Sequence, residues 1–216
     1  MKRKTGSVEK RKSVREELDG IKNGAVDYIS QCETCGGRVL SFDIATERTG
    51  YAVLEGGRVV ESGVLTAAGR LASDRFEKMA DGILGVLRRT SPGICVAEAP
   101  FSGKNRQTAV YLNRLHGVLE YGCAKEGAKY CSFAIPSWRS EMGFPNNIRK
   151  PAGVDFKALS KLAAEGIVGR GVEDDNEADA ICIGTAYLRR AGSVKKNKNF
   201  FKKCEIHTTF VIFIDI

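Results

Sequence analysis

Between residues 38 and 66 the chain offers three strand-like runs in immediate succession: RVLSFDIA (38–45), TGYAVLEGG (49–57) and RVVESGVLT (58–66). Gly56-Gly57 separates the last two, and a Gly-Gly pair between alternating runs predicts a tight hairpin turn. This stretch commits the fold to antiparallel strands before any helix is made. The first run also carries a carboxylate, Asp43, in an otherwise apolar setting. An unpaired charge inside a sheet costs several kcal/mol, so such an acid calls for a partner or a metal ion.

Beyond residue 66 the pattern alternates. Residues 74–89 place Phe76, Met79, Ile83, Leu84, Val86 and Leu87 at largely helical spacing, stopped by Ser91-Pro92-Gly93. GICVAEAP (93–100) reads as a fourth, apolar strand that ends in a second acid, Glu98. A helix over 107–126, a short strand KYCSFAIP (129–136), a Trp-bearing segment PSWRSEMGF, a helix near 155–166 and a last helix over 175–191 complete the series. Three strands in hairpin order followed by alternating helices and strands predict one mixed five-stranded α/β sheet, the later strands parallel, flanked by helices. Residues 1–37 read as a basic, flexible or helical arm, 38–191 as one domain, and 192–216 as a basic and then apolar tail open to several roles.

With 34 Lys plus Arg against 26 Asp plus Glu, the formal net charge is +8, which suits a polyanionic partner such as nucleic acid. Several of the seven cysteines lie in apolar runs, which fits a reducing cytoplasm better than a disulfide scaffold. The charged N-terminal stretch lacks the apolar segment of a secretory signal, and no run reaches membrane-spanning length.

Three acids carry the chemistry: Asp43 in the first strand, Glu98 at the end of the fourth and Asp179 in the last helix. If the first and fourth strands are parallel neighbours, the first two acids converge and a helix packed on the sheet delivers the third. Such a cluster repels itself unless divalent cations occupy it. Oxygen ligands point to Mg²⁺ or Mn²⁺, and with only His116 and His207 in the chain a histidine-based zinc site is disfavoured. Two such ions would support in-line hydrolysis of a phosphodiester.

The order and context of FDIATERTGYAV, ICVAEAPFSGKN and DDNEADAICIG resemble RuvC-like Holliday junction resolvases, particularly their phage and prophage branch, within the RNase H-like fold. The resemblance covers about residues 38–190. It implies an RNase H-like crossover junction endodeoxyribonuclease that uses two Mg²⁺ ions, Mn²⁺ substituting, and leaves 5′-phosphate and 3′-hydroxyl ends. Asp43, Glu98 and Asp179 match the family's metal-site positions. The Pro-Gly-Ser that usually follows the first acid reads Ile44-Ala45-Thr46 here. Three residues before Asp179, where many members carry an acid or a His, stands Asn176. Asp175, four before Asp179 and on the same helical face, is the expected fourth carboxylate, with helix N-cap as its rival role and Asn176 as the fallback ligand.

The resemblance further implies that Phe101, Lys104 and Asn105 face the crossover, that Arg139 takes a basic position after strand five, and that Lys157 is a helix-start lysine near the cleaved phosphate. In the same loop Arg106, and one turn after Lys157 Lys161, extend the basic surface. Trp138 is expected to be a core anchor. A four-way junction has two equivalent strands to cut, which suits a twofold homodimer, and the helix over 107–126 has an apolar surface wide enough to cover the sheet and meet a second subunit. Cys32-Glu-Thr-Cys35 has the spacing of half a zinc ribbon. No second CxxC follows, so a reduced, metal-free pair is expected, and a four-thiolate zinc shared across a dimer is the rival. Two other functions stand beside branched-DNA cleavage: an RNase H-like nuclease acting on RNA or an RNA/DNA hybrid, and a binding module whose catalytic site has decayed at Asn176.

Overall fold

The computed structural model describes residues 37–100, 106–145 and 155–191. The arm, the CxxC, the tail, and Phe101, Lys104 and Asn105 lie outside these residues. The sheet contains β1 (Val39–Asp43), β2 (Arg48–Glu55), β3 (Arg58–Thr66), β4 (Ile94–Glu98) and β5 (Lys129–Phe133), in the order β3-β2-β1-β4-β5. The first three pair antiparallel; β4 joins β1 and β5 joins β4 in parallel. Gly56 and Gly57 turn the β2–β3 hairpin at φ 57° and 80°, a backbone that strongly favours glycine at both positions.

Helices cover both faces, which is why β1 and β4 each bury four consecutive residues instead of alternating. On one face α1 (Ala72–Thr90) and α2 (Arg106–Glu126) set Met79, Ile83, Leu87, Leu115 and Leu119 against Leu40, Phe42, Val53 and Cys95. On the other, α3 (Ile135–Met142), α4 (Phe156–Val168) and α5 (Asp175–Arg190) set Trp138, Met142, Ala164, Ile181 and Ile183 against Val39, Leu54, Ile94 and Val96. α1 stops as expected: Ser91 takes a left-handed φ of 43°, its N–H bonds to the Leu87 carbonyl, and Pro92 follows.

α5 lies very close to the sheet. Gly184 faces β1 and β2, and Ser41 Oγ, buried mid-strand, donates to the Ala180 carbonyl at 2.7 Å. A Cβ on Gly184 would sit 2.4 Å from Leu54 Cδ1 and 2.6 Å from Ser41 Oγ.

Two sequence expectations are corrected here. The Trp-bearing segment is a helix, α3, and β5 ends at Phe133 rather than running to Pro136. Pro136 stands in the first turn of α3, where its missing N–H has no intrahelical acceptor to lose, so it starts the helix instead of ending the strand. Asp175 is also not the N-cap of α5. That position belongs to Asp174, whose side chain accepts from the N–H groups of Asn176 and Glu177.

Candidate active site at the sheet's carboxyl edge

Parallel pairing of β1 with β4 sets Phe42 opposite Ala97, so the next residues, Asp43 and Glu98, occupy adjacent strand ends. Both side chains sit where the buried runs stop: four buried residues precede each acid, and the acid itself is partly exposed. α5 crosses this edge and contributes Asp179 from its second turn.

The three carboxylates burden one another. Burial pushes the Asp43 carboxyl well above the usual range, and the charges of Glu98, Asp179 and Asp174 push it further; Arg139 opposes them. Glu98 is raised mainly by burial and then by Asp179, against a hydrogen bond from Trp138 and the Arg139 charge. Asp179 is likewise raised by burial first, and its Oδ1 is buried without a hydrogen-bond partner. The nearby Ser160 hydroxyl favours the Asp179 anion electrostatically, yet its oxygen too lacks a hydrogen bond of proper geometry.

Around the acids stands a partial ring of cations and one indole. Trp138, fully buried as expected of a core anchor, donates from Nε1 to Glu98 Oε2 at 2.8 Å. Arg139 stacks its guanidinium 4.4 Å from the Phe156 ring centroid and 5.2 Å from that of Trp138, beside all three carboxylates. Lys157 Nζ bonds Asp175 Oδ2 and Lys161 Nζ bonds Asp175 Oδ1, each at 2.8 Å. Those two contacts lower the Asp175 pKa.

Of the residues expected from sequence, Asp43, Glu98, Asp179 and Arg139 thus form one neighbourhood. Asp175, Lys157 and Lys161 form a second, adjoining one. Arg106 is exposed at the start of α2. Asn176 turns its amide to β2, donating from Nδ2 to the Arg48 carbonyl. Sequence reasoning missed Arg48 and Asp174, which pair across the helix start. The spacing Asp174-x-x-Glu177 carried a capping signal, but Glu177 spends its carboxylate on Arg170 and Ser62.

Among the described residues, no three acidic, His or Cys side chains are gathered tightly enough to enclose a metal ion as they stand. Their chemistry nonetheless fits a hard divalent cation: carboxylate donors on three elements, raised first by burial and then by neighbouring acids, and one buried oxygen without a partner. The only histidine among the described residues, His116, is engaged elsewhere. Its Nδ1 lies 2.7 Å from the Tyr130 hydroxyl, and burial lowers its pKa to about 4.

Strand order and mixed pairing define an RNase H-like α/β fold, with acids on the adjacent ends of β1 and β4. No family model matches the chain. It is 33% identical over 156 residues to the crossover junction endodeoxyribonuclease RuvC of Anaeromyxobacter dehalogenans, covering 70% of this chain and 80% of that protein. It is also 33% identical over 169 residues to the RuvC of Chloroflexus aggregans, covering 74% and 97%. Thermus thermophilus RuvC in complex with a Holliday junction substrate superposes with a TM-score of 0.59 at 18% identity, over 73% of this chain and 98% of that one, a likeness of fold. The chain belongs to the RuvC family of crossover junction endodeoxyribonucleases, and membership implies a nuclease that depends on a divalent metal.

Proposed function

We propose that the protein resolves four-way DNA junctions by hydrolysing phosphodiesters at the carboxyl edge of its sheet. The supporting observation is that Asp43, Glu98 and Asp179 converge from β1, β4 and α5 in a chain of the RuvC family. Two Mg²⁺ ions, for which Mn²⁺ substitutes, would supply activation of water and charge neutralisation at the leaving oxygen, giving 5′-phosphate and 3′-hydroxyl ends. Asp43, Glu98 and Asp179 hold the cations. Trp138 and Arg139 orient Glu98 and temper the repulsion among the acids. Lys157, Lys161, Arg139 and Arg106 neutralise DNA phosphates, and Phe101, Lys104 and Asn105 meet the crossover.

Asp175 completes the cation site only by releasing both lysines, which is the point its own variant tests. If Asp175 is a ligand, Asp175→Ala lowers the cleavage rate about tenfold or more and raises the Mg²⁺ needed for half-maximal rate. An unchanged metal dependence removes it from the site and makes Asn176 the next position to replace.

The protein acts as a homodimer in this proposal, with one site for each symmetry-related strand. α2 buries Leu115, Leu119 and Cys123 against the sheet and leaves Val110 and Tyr121 exposed, an apolar outer surface that suits a second copy. A place in the phage and prophage branch belongs to the same proposal and rests on the sequence motifs. No helix among the described residues is long and apolar enough to cross a membrane.

The deciding experiment compares a four-way junction, a linear duplex and an RNA/DNA hybrid at one salt concentration while Mg²⁺ or Mn²⁺ is titrated. Metal-dependent cuts in the junction alone are expected. Preferential cutting of the hybrid, or junction binding without cutting in either metal, would overturn the proposal.

A further inference from the structure

The start of α5 is fastened to the start of β2 by contacts outside both hydrophobic layers. Asp174 Oδ1 accepts from the backbone N–H of Asn176 at 2.9 Å and of Glu177 at 3.3 Å. The other oxygen, Oδ2, accepts from Arg48 Nε at 3.0 Å and from Arg48 Nη2. Asn176 Nδ2 donates to the Arg48 carbonyl. Two residues along β2, Gly50 meets the Asn176 backbone with no room for a side chain, and Gly50 is the register partner of Asp43. A fork, an amide tether and a backbone contact therefore fix the helix start against the strand that pairs with Asp43.

We infer that Arg48 and Asp174 form a latch that positions Asp179 relative to Asp43 for cation binding. The inference rests on the reading of Asp43, Glu98 and Asp179 as the cation site. Asp179 Oδ1 has no hydrogen bond of its own to orient it, so its place depends on where α5 is docked. A helix start frays unless its free N–H groups are capped, and here the capping carboxylate is itself held by an arginine from the sheet. Arg48 also offsets the Asp174 charge, one of the charges that weigh on Asp43. Arg48 and Asp174 are positioning residues, acting through Asp179 as the outer partners of metal ligands do.

The arginine side chain is 55% exposed, so a phosphate contact is the competing role, and the test separates the two. The full chain and the variants Asp174→Ala, Asp174→Asn, Arg48→Met and Arg48→Met/Asp174→Asn are compared by three measurements. These are Mn²⁺ binding by calorimetry without DNA, hydrogen exchange of the amides of residues 176–179, and junction affinity with metal chelated. Asp174→Ala is expected to weaken Mn²⁺ binding about tenfold and to speed exchange, with junction affinity unchanged. The double variant is expected to bind Mn²⁺ no more weakly than the weaker single one, the mark of a coupled pair. If Asp174→Ala fails to fold, Asp174→Asn, which keeps a capping oxygen without the charge, carries the same comparison. Wild-type Mn²⁺ binding in the Asp174 variants, or lost junction affinity in Arg48→Met with Mn²⁺ binding intact, would overturn the latch. Failure of the unmutated chain to bind Mn²⁺ would instead remove the cation site itself, and the latch with it.

Discussion

Asp43→Asn is expected to lower metal-dependent junction cleavage by on the order of 10³-fold, because it removes a carboxylate that would hold the cations on which hydrolysis depends. Junction affinity with metal chelated should survive, since Asp43 contributes no positive charge to phosphate contacts. A second consequence concerns the metal-free protein. The Asp43, Glu98 and Asp179 carboxyls are all raised, Asp43 furthest, with burial the largest cause for each. A carboxyl held higher in the folded chain keeps a proton that the unfolded chain has released. The contribution of these three groups to metal-free stability is therefore greatest below the ordinary carboxylate range. It falls as pH rises from there through the folded-state values, and is level beyond them. Asp43→Asn removes the largest of these penalties, so in EDTA at neutral pH the variant should melt a few degrees above wild type. Mg²⁺ should then stabilise wild type more than the variant. Paired melts at pH 5 and pH 7.5, with and without metal, check both statements. A variant no more stable than wild type in EDTA at neutral pH would contradict the electrostatics described for the cluster.

Gly50→Ala should be the most damaging single-methyl change in the described residues. A Cβ at position 50 would lie 1.8 Å from the Asn176 carbonyl oxygen and 2.1 Å from its carbon. Backbone cannot yield as a side chain would, so α5 has to lift from β2. We expect a loss of about 3 kcal/mol or more, measured by urea unfolding, together with loss of the stabilisation that Mg²⁺ provides. Gly85→Ala is the matched control: it lies within α1, a Cβ there meets nothing within 4 Å, and the change should be neutral or stabilising by up to about 1 kcal/mol. Equal behaviour of the two variants would show that the β2–α5 contact is looser than described.

What the sequence made legible was information carried by neighbours in the chain. Gly56-Gly57 specified the hairpin, and an acid at the end of each of two apolar runs pointed to their convergence once those strands pair in parallel. α3 was hidden because its short apolar start continues the strand-like KYCSF, and a proline that reads as a terminator serves equally as a first-turn residue. The Arg48–Asp174 pair was invisible for another reason. The two residues are 126 apart, and nothing local to either one names its partner. The two lysines on Asp175 are the same kind of case, since helical spacing places Lys157 and Lys161 on one face without saying which carboxylate that face meets.

The indole that bonds Glu98 belongs to the only tryptophan in the chain. Its emission is consequently an intrinsic optical gauge of the acidic edge. Loading of the site is expected to change tryptophan fluorescence in the unlabelled protein, and that signal comes from one defined indole rather than from an average over several.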